Sequence, residues 1–336
     1  MSARALVKRG LRRTLSLAGR HRWPASRPTL TVLCYHRVLP QGHPDTAWLQ
    51  PGMQLRPETL AAQLRWLREA GFTPVDLDDW LLRAQQGESL PERAVALTFD
   101  DGWADGYEHA LPVLVDADAP ATIFLVTRYI DTPRSFWPER LARTLHDADD
   151  PAHARLLDTL RGDGLSPPSP PRWERAAIDG YTETLKSQRS DQQIDALLDA
   201  AMVGPGGAGA RRPDLLSWAQ VQAMEDTGLI RFGSHTRRHR RVTHLRDAGA
   251  RREELAESCA DLQSRLKRPS AVFCYPNGDT DAAAEPLIRA HYRAACTLQY
   301  GWNTASTPPY ALRRIPLHED VSADRDAFYA RLNLPV

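Results

Sequence analysis

From Thr29 onward, short β-branched or apolar runs alternate with stretches of helical period. The runs Leu30–Cys34, Thr73–Leu77, Ala94–Phe99, Thr122–Val126, Leu229–Phe232, Ala271–Cys274, Arg293–Thr297 and Leu312–Ile315 predict strands. Between them, Pro57–Ala70 places Leu60, Leu64 and Leu67 on one helical face and stops at Gly71, a residue suited to the left-handed turn that ends a helix. Ser217 with Gln220 three residues on forms a capping box for a helix that closes at Gly228, and Glu253–Leu266 is a further amphipathic period. Strands alternating with helices predict an α/β fold with a parallel sheet, open or closed into a barrel. Ligands of such sheets gather at the carboxyl ends of the strands. One stretch, about 132–214, breaks the rhythm. It carries SPPSPPRW and GPGGAGARRP around helical segments and no clear strand, which predicts a largely helical insertion on Pro/Gly-rich linkers.

Apolar residues make up 42% of the 336 and charged residues 25%, so a packed core is expected. Mean hydropathy is −0.47, and no apolar run approaches the roughly 20 residues of a bilayer-spanning helix, which excludes a multi-span membrane protein. The net charge of +1 hides an uneven distribution. Residues 1–44 carry nine Lys/Arg and no Asp/Glu, leaving the rest with 34 basic against 42 acidic residues. A net acidic body argues against a nucleic-acid partner. Residues 1–28 lack the continuous apolar stretch of a secretory signal, so a cytoplasmic location is expected. Leu6, Val7, Leu11, Leu15 and Leu17 can share one helix side against Lys8, Arg9, Arg12 and Arg13. This leader therefore reads either as a basic amphipathic segment lying on the inner face of a membrane or as a disordered arm. Cys34, Cys259, Cys274 and Cys296 form no C-x-x-C pair and read as reduced thiols, three of them in strand-like core contexts.

Two strings concentrate the chemistry. Leu97-Thr98-Phe99-Asp100-Asp101-Gly102 sets adjacent carboxylates directly after a buried strand, where they need a cationic partner. Alone, it also reads as a polar turn. Gly233-Ser234-His235-Thr236-Arg237-Arg238-His239 follows a later strand, and its two imidazoles four apart suit a divalent ion or, equally, a solvated basic turn. One Asp with two His leaves open coordination positions, as in catalytic rather than closed sites.

In combination, TFDDG and SHTRRH resemble the first two motifs of the polysaccharide deacetylase family (the NodB-homology, carbohydrate esterase family 4 domain). CYHRV near the start and Phe273-Cys274-Tyr275-Pro276-Asn277-Gly278 agree with it. The resemblance spans 29–336 apart from the insertion. It implies a distorted (β/α) barrel of about seven parallel strands holding one divalent ion, zinc by ligand type, with cobalt, nickel, manganese or iron also accommodated. It further implies Asp100 as general base, Asp101, His235 and His239 as metal ligands, and the backbone N–H of Asn277 as an oxyanion donor. Substrate contacts are expected at Trp103, Tyr275 and Pro276. The general acid is expected to be His36, ahead of the alternative His318 in Ile315-Pro316-Leu317-His318.

The activity implied is removal of N-acetyl groups from amino sugars of a polysaccharide or lipid-linked glycan. The rivals are a deformylase or other deacylase of a lipid-linked amino sugar, and a catalytically silent glycan-binding module. Tyr107, Trp137 and Trp302 are further candidates for a sugar-stacking wall, and Arg237–Arg241 for an anionic partner or a solvated face. Two departures stand out. Where many members carry an arginine beside the catalytic aspartate, this chain has Cys274, and the family's usual Asp-Trp motif is not evident, although Trp302 and Asn303 lie in that region. These gaps point to the branch acting in exopolysaccharide or cell-envelope glycan synthesis.

Overall fold

The computed structural model describes residues 28–168, 173–202 and 213–333. The leader over 1–28, read as a membrane-surface segment or a disordered arm, therefore lies, apart from Pro28, outside the described residues. Among the described residues no helix is long and apolar enough to cross a membrane.

The strands are β1 Thr29–Tyr35, β2 Arg37–Val38, β3 Gln54–Leu55, β4 Thr73–Pro74, β5 Arg93–Phe99, β6 Ala121–Leu125, β7 Ile230–Ser234, β8 Val272–Cys274, β9 Ala294–Cys296 and β10 Ile315–Pro316. Seven of them run parallel in the order β10-β1-β5-β6-β7-β8-β9, with β4 on β5 and β2–β3 as a separate pair. Leu312 bridges Cys296 at the end of β9 just before β10 pairs with β1, so a single segment touches both margins of the sheet and closes it. The result is the expected distorted (β/α) barrel.

Strand alternation divides the core in two. Leu30 and Val32 of β1, Ala94 and Ala96 of β5, Val272 and Cys274 of β8, and Cys296 of β9 meet in the barrel interior, and buried Cys34, on the same strand phase as Leu30 and Val32, reaches Asp100 at 3.6 Å. Leu33 and Tyr35, Leu97 and Phe99, and Ile123 and Leu125 turn outward onto the helices, among them Leu60, Leu64 and Leu67 of Pro57–Glu69. Strands buried on both faces explain the nearly continuous apolar runs. All four cysteines are free and buried; Cys34, Cys274 and Cys296 lie on barrel strands as small fillers of a narrow interior, and Cys259 packs from the helix Glu257–Arg265.

The strand expected over Thr73–Leu77 is cut short. Only Thr73–Pro74 is extended, because the Asp76 carboxylate accepts the Asp79 amide hydrogen at 2.9 Å and starts the helix Leu77–Gln86. The capping box at Ser217 forms as read, opening the helix Trp218–Glu225. The helices Trp137–His146, Pro151–Gly162, Arg175–Gln188 and Asp191–Met202 share a core of their own, built on Trp137, Leu141, Leu156, Tyr181, Ile194 and Leu198. That core also takes in Trp48 and Leu49 from the loop after β2, which seats the helices over one side of the barrel mouth.

Candidate active site

Parallel register brings the carboxyl ends of β1, β5, β7 and β8 together, and with them the chemistry-bearing residues. A cleft there is lined by His36, Asp100, Asp101, His235, His239, Asn277 and Arg314 from the barrel, and by Trp137, Glu139, Lys186 and Asp191 from the helical segment. Four non-glycine residues around it, Asp101, Thr236, His239 and Asn277, have positive φ values of 77°, 63°, 59° and 55°. Such backbone is costly for ordinary side chains and persists where surrounding contacts dictate it. The loop carrying both histidines is dictated by Glu254, whose buried carboxylate accepts the amide hydrogens of Arg237 at 3.0 Å and Arg238 at 2.8 Å.

Asp100 and Asp101 leave β5 in different environments. Arg314, fully buried, grips both oxygens of Asp100 at 2.7 and 2.8 Å, and its Nε donates to the Thr297 carbonyl at 2.9 Å. The thiols of Cys34 and Cys274 lie 3.6 Å from the same carboxylate, and His36 Nε2 is 3.9 Å away. Burial alone would push the Asp100 pKa up, but the Arg314 charge, followed by His235, holds it well below the usual carboxylate range. Arg314 thus takes the place of the arginine missing at Cys274. It is the functional residue the sequence reading missed. A signal existed, since Arg314 shares strand phase with inward-facing Leu312, an odd position for a charge unless another charge meets it.

Asp101 faces the imidazoles. Its Oδ1 lies 3.5 Å from His235 Nε2 and 3.4 Å from His239 Nε2, while its Oδ2 accepts the Trp103 indole hydrogen at 2.9 Å. The Cys274 carbonyl, 2.8 Å from His235 Nδ1, can only accept, so that nitrogen carries the proton. Burial drives the His235 pKa down to about 4, so its Nε2 offers a lone pair to an oxygen that also offers one. Burial raises Asp101 too, yet the hydrogen bond and charge of His239 outweigh it and bring it down to about 2. Two acceptors pointed at each other in a buried site are the signature of a place for a cation. Four-coordinate ligands at about 2.0–2.1 Å from an ion stand roughly 3.3 Å apart, close to the separations found. The donors Asp101, His235 and His239 fit a divalent ion.

The other expected site residues divide. His36 and Asn277 line the cleft, whereas His318 does not: it opens the helix Glu319–Ser322, 3.4 Å from Asp320. Trp103 and Tyr275 are each 2% exposed and Pro276 is buried, so none of the three offers a face to a sugar. Trp103 packs edge-on to Phe136, and Tyr275 packs against Phe273, because both rings are needed by the cores beneath the cleft. Of the remaining aromatic candidates, Trp137 lines the cleft, while Tyr107 and Trp302 pack on the outer core. The arginine cluster is internally matched: Arg237 pairs with Glu257 and Asp261, Arg238 with Glu253, and Arg241 with Asp191.

Comparison with known proteins bears on the family and the fold. A family model described as polysaccharide deacetylase matches residues 87–166 and 173–295. The poly-β-1,6-N-acetyl-D-glucosamine N-deacetylase of Escherichia coli K12 is 35% identical over 118 residues, 35% of this chain and 16% of that protein. YxkH of Bacillus subtilis, named for the same family, is 28% identical over 141 residues, 41% of this chain and 46% of that protein. The chain therefore spans less than half the length of these curated relatives. Among solved structures, IcaB from Ammonifex degensii aligns with a TM-score of 0.56 at 22% identity, covering 90% of this chain and 97% of that one. The Streptococcus pyogenes deacetylase PplD aligns at 0.57 and 17%, covering 89% and 96%. These last two likenesses establish the fold, and the family model spans more than half of the sequence. The chain belongs to the polysaccharide deacetylase family.

Proposed function

We propose that this protein is a cation-dependent N-deacetylase that hydrolyses the acetamide of N-acetylglucosamine units in a polysaccharide. The observation that carries this reading is the pairing, at one barrel mouth, of a carboxylate–bis-imidazole cluster with a second carboxylate clamped by a buried arginine. A binding module has no need of either. The similarity to the E. coli enzyme supports the choice of glycan.

Asp101, His235 and His239 would hold the cation, which when bound polarises a carbonyl oxygen and makes an adjacent water more acidic. The remaining work falls to the chain. Asp100 accepts the proton of the attacking water, and Arg314 keeps it ionised and oriented for that task. His36, on the cleft side of Asp100, delivers a proton to the departing nitrogen. Asn277 lines the cleft, and its backbone N–H would serve as donor to the developing oxyanion. The wall made by Trp137, Glu139 and Lys186 excludes water from one flank of the bound sugar. The products are an amine and acetate.

The test is incubation of zinc-loaded protein with β-1,6-linked N-acetylglucosamine oligomers, followed by mass spectrometry. Stepwise loss of acetyl groups is expected. Intact oligomers, while wild-type protein retains a stoichiometric ion, would refute the substrate assignment.

A further inference from the structure

Trp103 sits where the helical segment is rooted in the barrel. Its backbone forms an antiparallel bridge with Leu215, flanked by Ala104 N–H to Asp214 O and Leu216 N–H to Gly102 O, each 2.9 Å. Its ring meets Phe136, at the other root of the segment, with centroids 5.1 Å apart, and Phe136 in turn lies 5.0 Å from the His239 ring. The guanidinium of Arg37 covers the remaining face at 4.5 Å, fixed there by Asp105 at 2.8 Å. This box of Trp103, Val126, Tyr129, Phe136 and Leu215 is buried and lined mainly by apolar side chains. Its polar groups leave in different directions: the Tyr129 hydroxyl donates to Asp195 Oδ2 at 3.5 Å, and the Trp103 indole N–H donates to Asp101 Oδ2 at 2.9 Å.

We propose that Trp103 is a positioning residue for the cation: its indole N–H engages Oδ2 of Asp101 and leaves Oδ1 turned to the two histidines, so that the roots of the helical segment set how tightly the ion is held. The idea rests on the reading of Asp101, His235 and His239 as the cation's ligands. The physical reason is torsional. A carboxylate rotates easily about its last bond, and a donor fixed on one oxygen removes that freedom and aims the other. Hydrogen bonds of this outer kind change metal affinity by about 10–100-fold when removed. Phe136, packed on both Trp103 and His239, lets the segment brace two of the three ligands at once.

The experiment is competition between a chelator and the full-length protein for Zn2+. Trp103→Phe keeps the ring and deletes the N–H. The expected result is affinity about 10–100-fold weaker than wild type, with the apo protein melting as before and an altered visible spectrum for the Co2+ form. If Trp103→Phe binds Zn2+ as tightly as wild type, Trp103 only fills space and the proposal falls, while the ligand assignment stands. Should wild type take up no stoichiometric Zn2+, the ligand assignment fails first. A second measurement needs no variant, in case Trp103→Phe does not fold. The indole proton of Trp103 should be protected from exchange and its NMR resonance should move on adding Zn2+; a resonance that stays put overturns the proposal.

Discussion

Replacing Arg314 with Met tests the electrostatic centre of the site. Methionine approximates the length of the arginine stem but leaves Asp100, 3% exposed, without its two charge-assisted hydrogen bonds of 2.7 and 2.8 Å. Removing one partner of a buried ion pair costs about 3–5 kcal/mol, because the other charge stays desolvated. For a chain of 336 residues, that lowers the melting temperature by roughly 4–7 °C. The sign with pH follows from the shifts. In wild type the Asp100 pKa is depressed, so its stabilising contribution is full above the ordinary carboxylate value and fades only as pH falls through its lower folded value. In Arg314→Met, burial is left as the leading influence and pushes that pKa above the ordinary value. The variant then loses stability as pH rises through the raised value, and the gap to wild type widens from about pH 4 to pH 7. Asp100→Asn combined with Arg314→Met deletes both charges and should recover most of the loss. Urea unfolding of metal-free protein at both pH values reads all four corners of the cycle. A gap below about 1 kcal/mol at pH 7, typical of a weak surface pair, or one independent of pH, would refute the clamp.

Two further outcomes bear on the reaction. Asp100→Asn should abolish deacetylation of the oligomers while Zn2+ uptake stays stoichiometric; loss of the ion instead would mean that the two aspartates exchange roles. His36→Ala should lower turnover by about 10²–10⁴-fold, the usual weight of a positioned acid, whereas His318→Ala, outside the cleft lining, should leave it nearly unchanged. The reverse ranking, measured by acetate release, would transfer the acid role to His318.

Periodicity and punctuation made most of the barrel legible, since strands buried on both faces must be apolar and helix ends need particular caps. The strand expected at Thr73–Leu77 failed at Asp76, a short-range competition in which a side-chain cap outweighed β propensity. Trp103 was misread for a different reason. An aromatic residue beside an acidic motif has the same letters whether its face or its edge meets the site, and packing on Phe136 and Leu215 settled that.

The chain alone determined that an acidic doublet and a histidine pair follow strands of a parallel α/β fold, because local runs and spacings are properties of neighbouring residues. Tertiary structure decided which charge answers which. Arg314 reaches Asp100 across 214 positions of sequence, and Glu254 shapes the histidine loop from a separate helical turn. Such partners are chosen by distance in space, and closing the barrel through Leu312 and Ile315 is what brings Arg314 within reach.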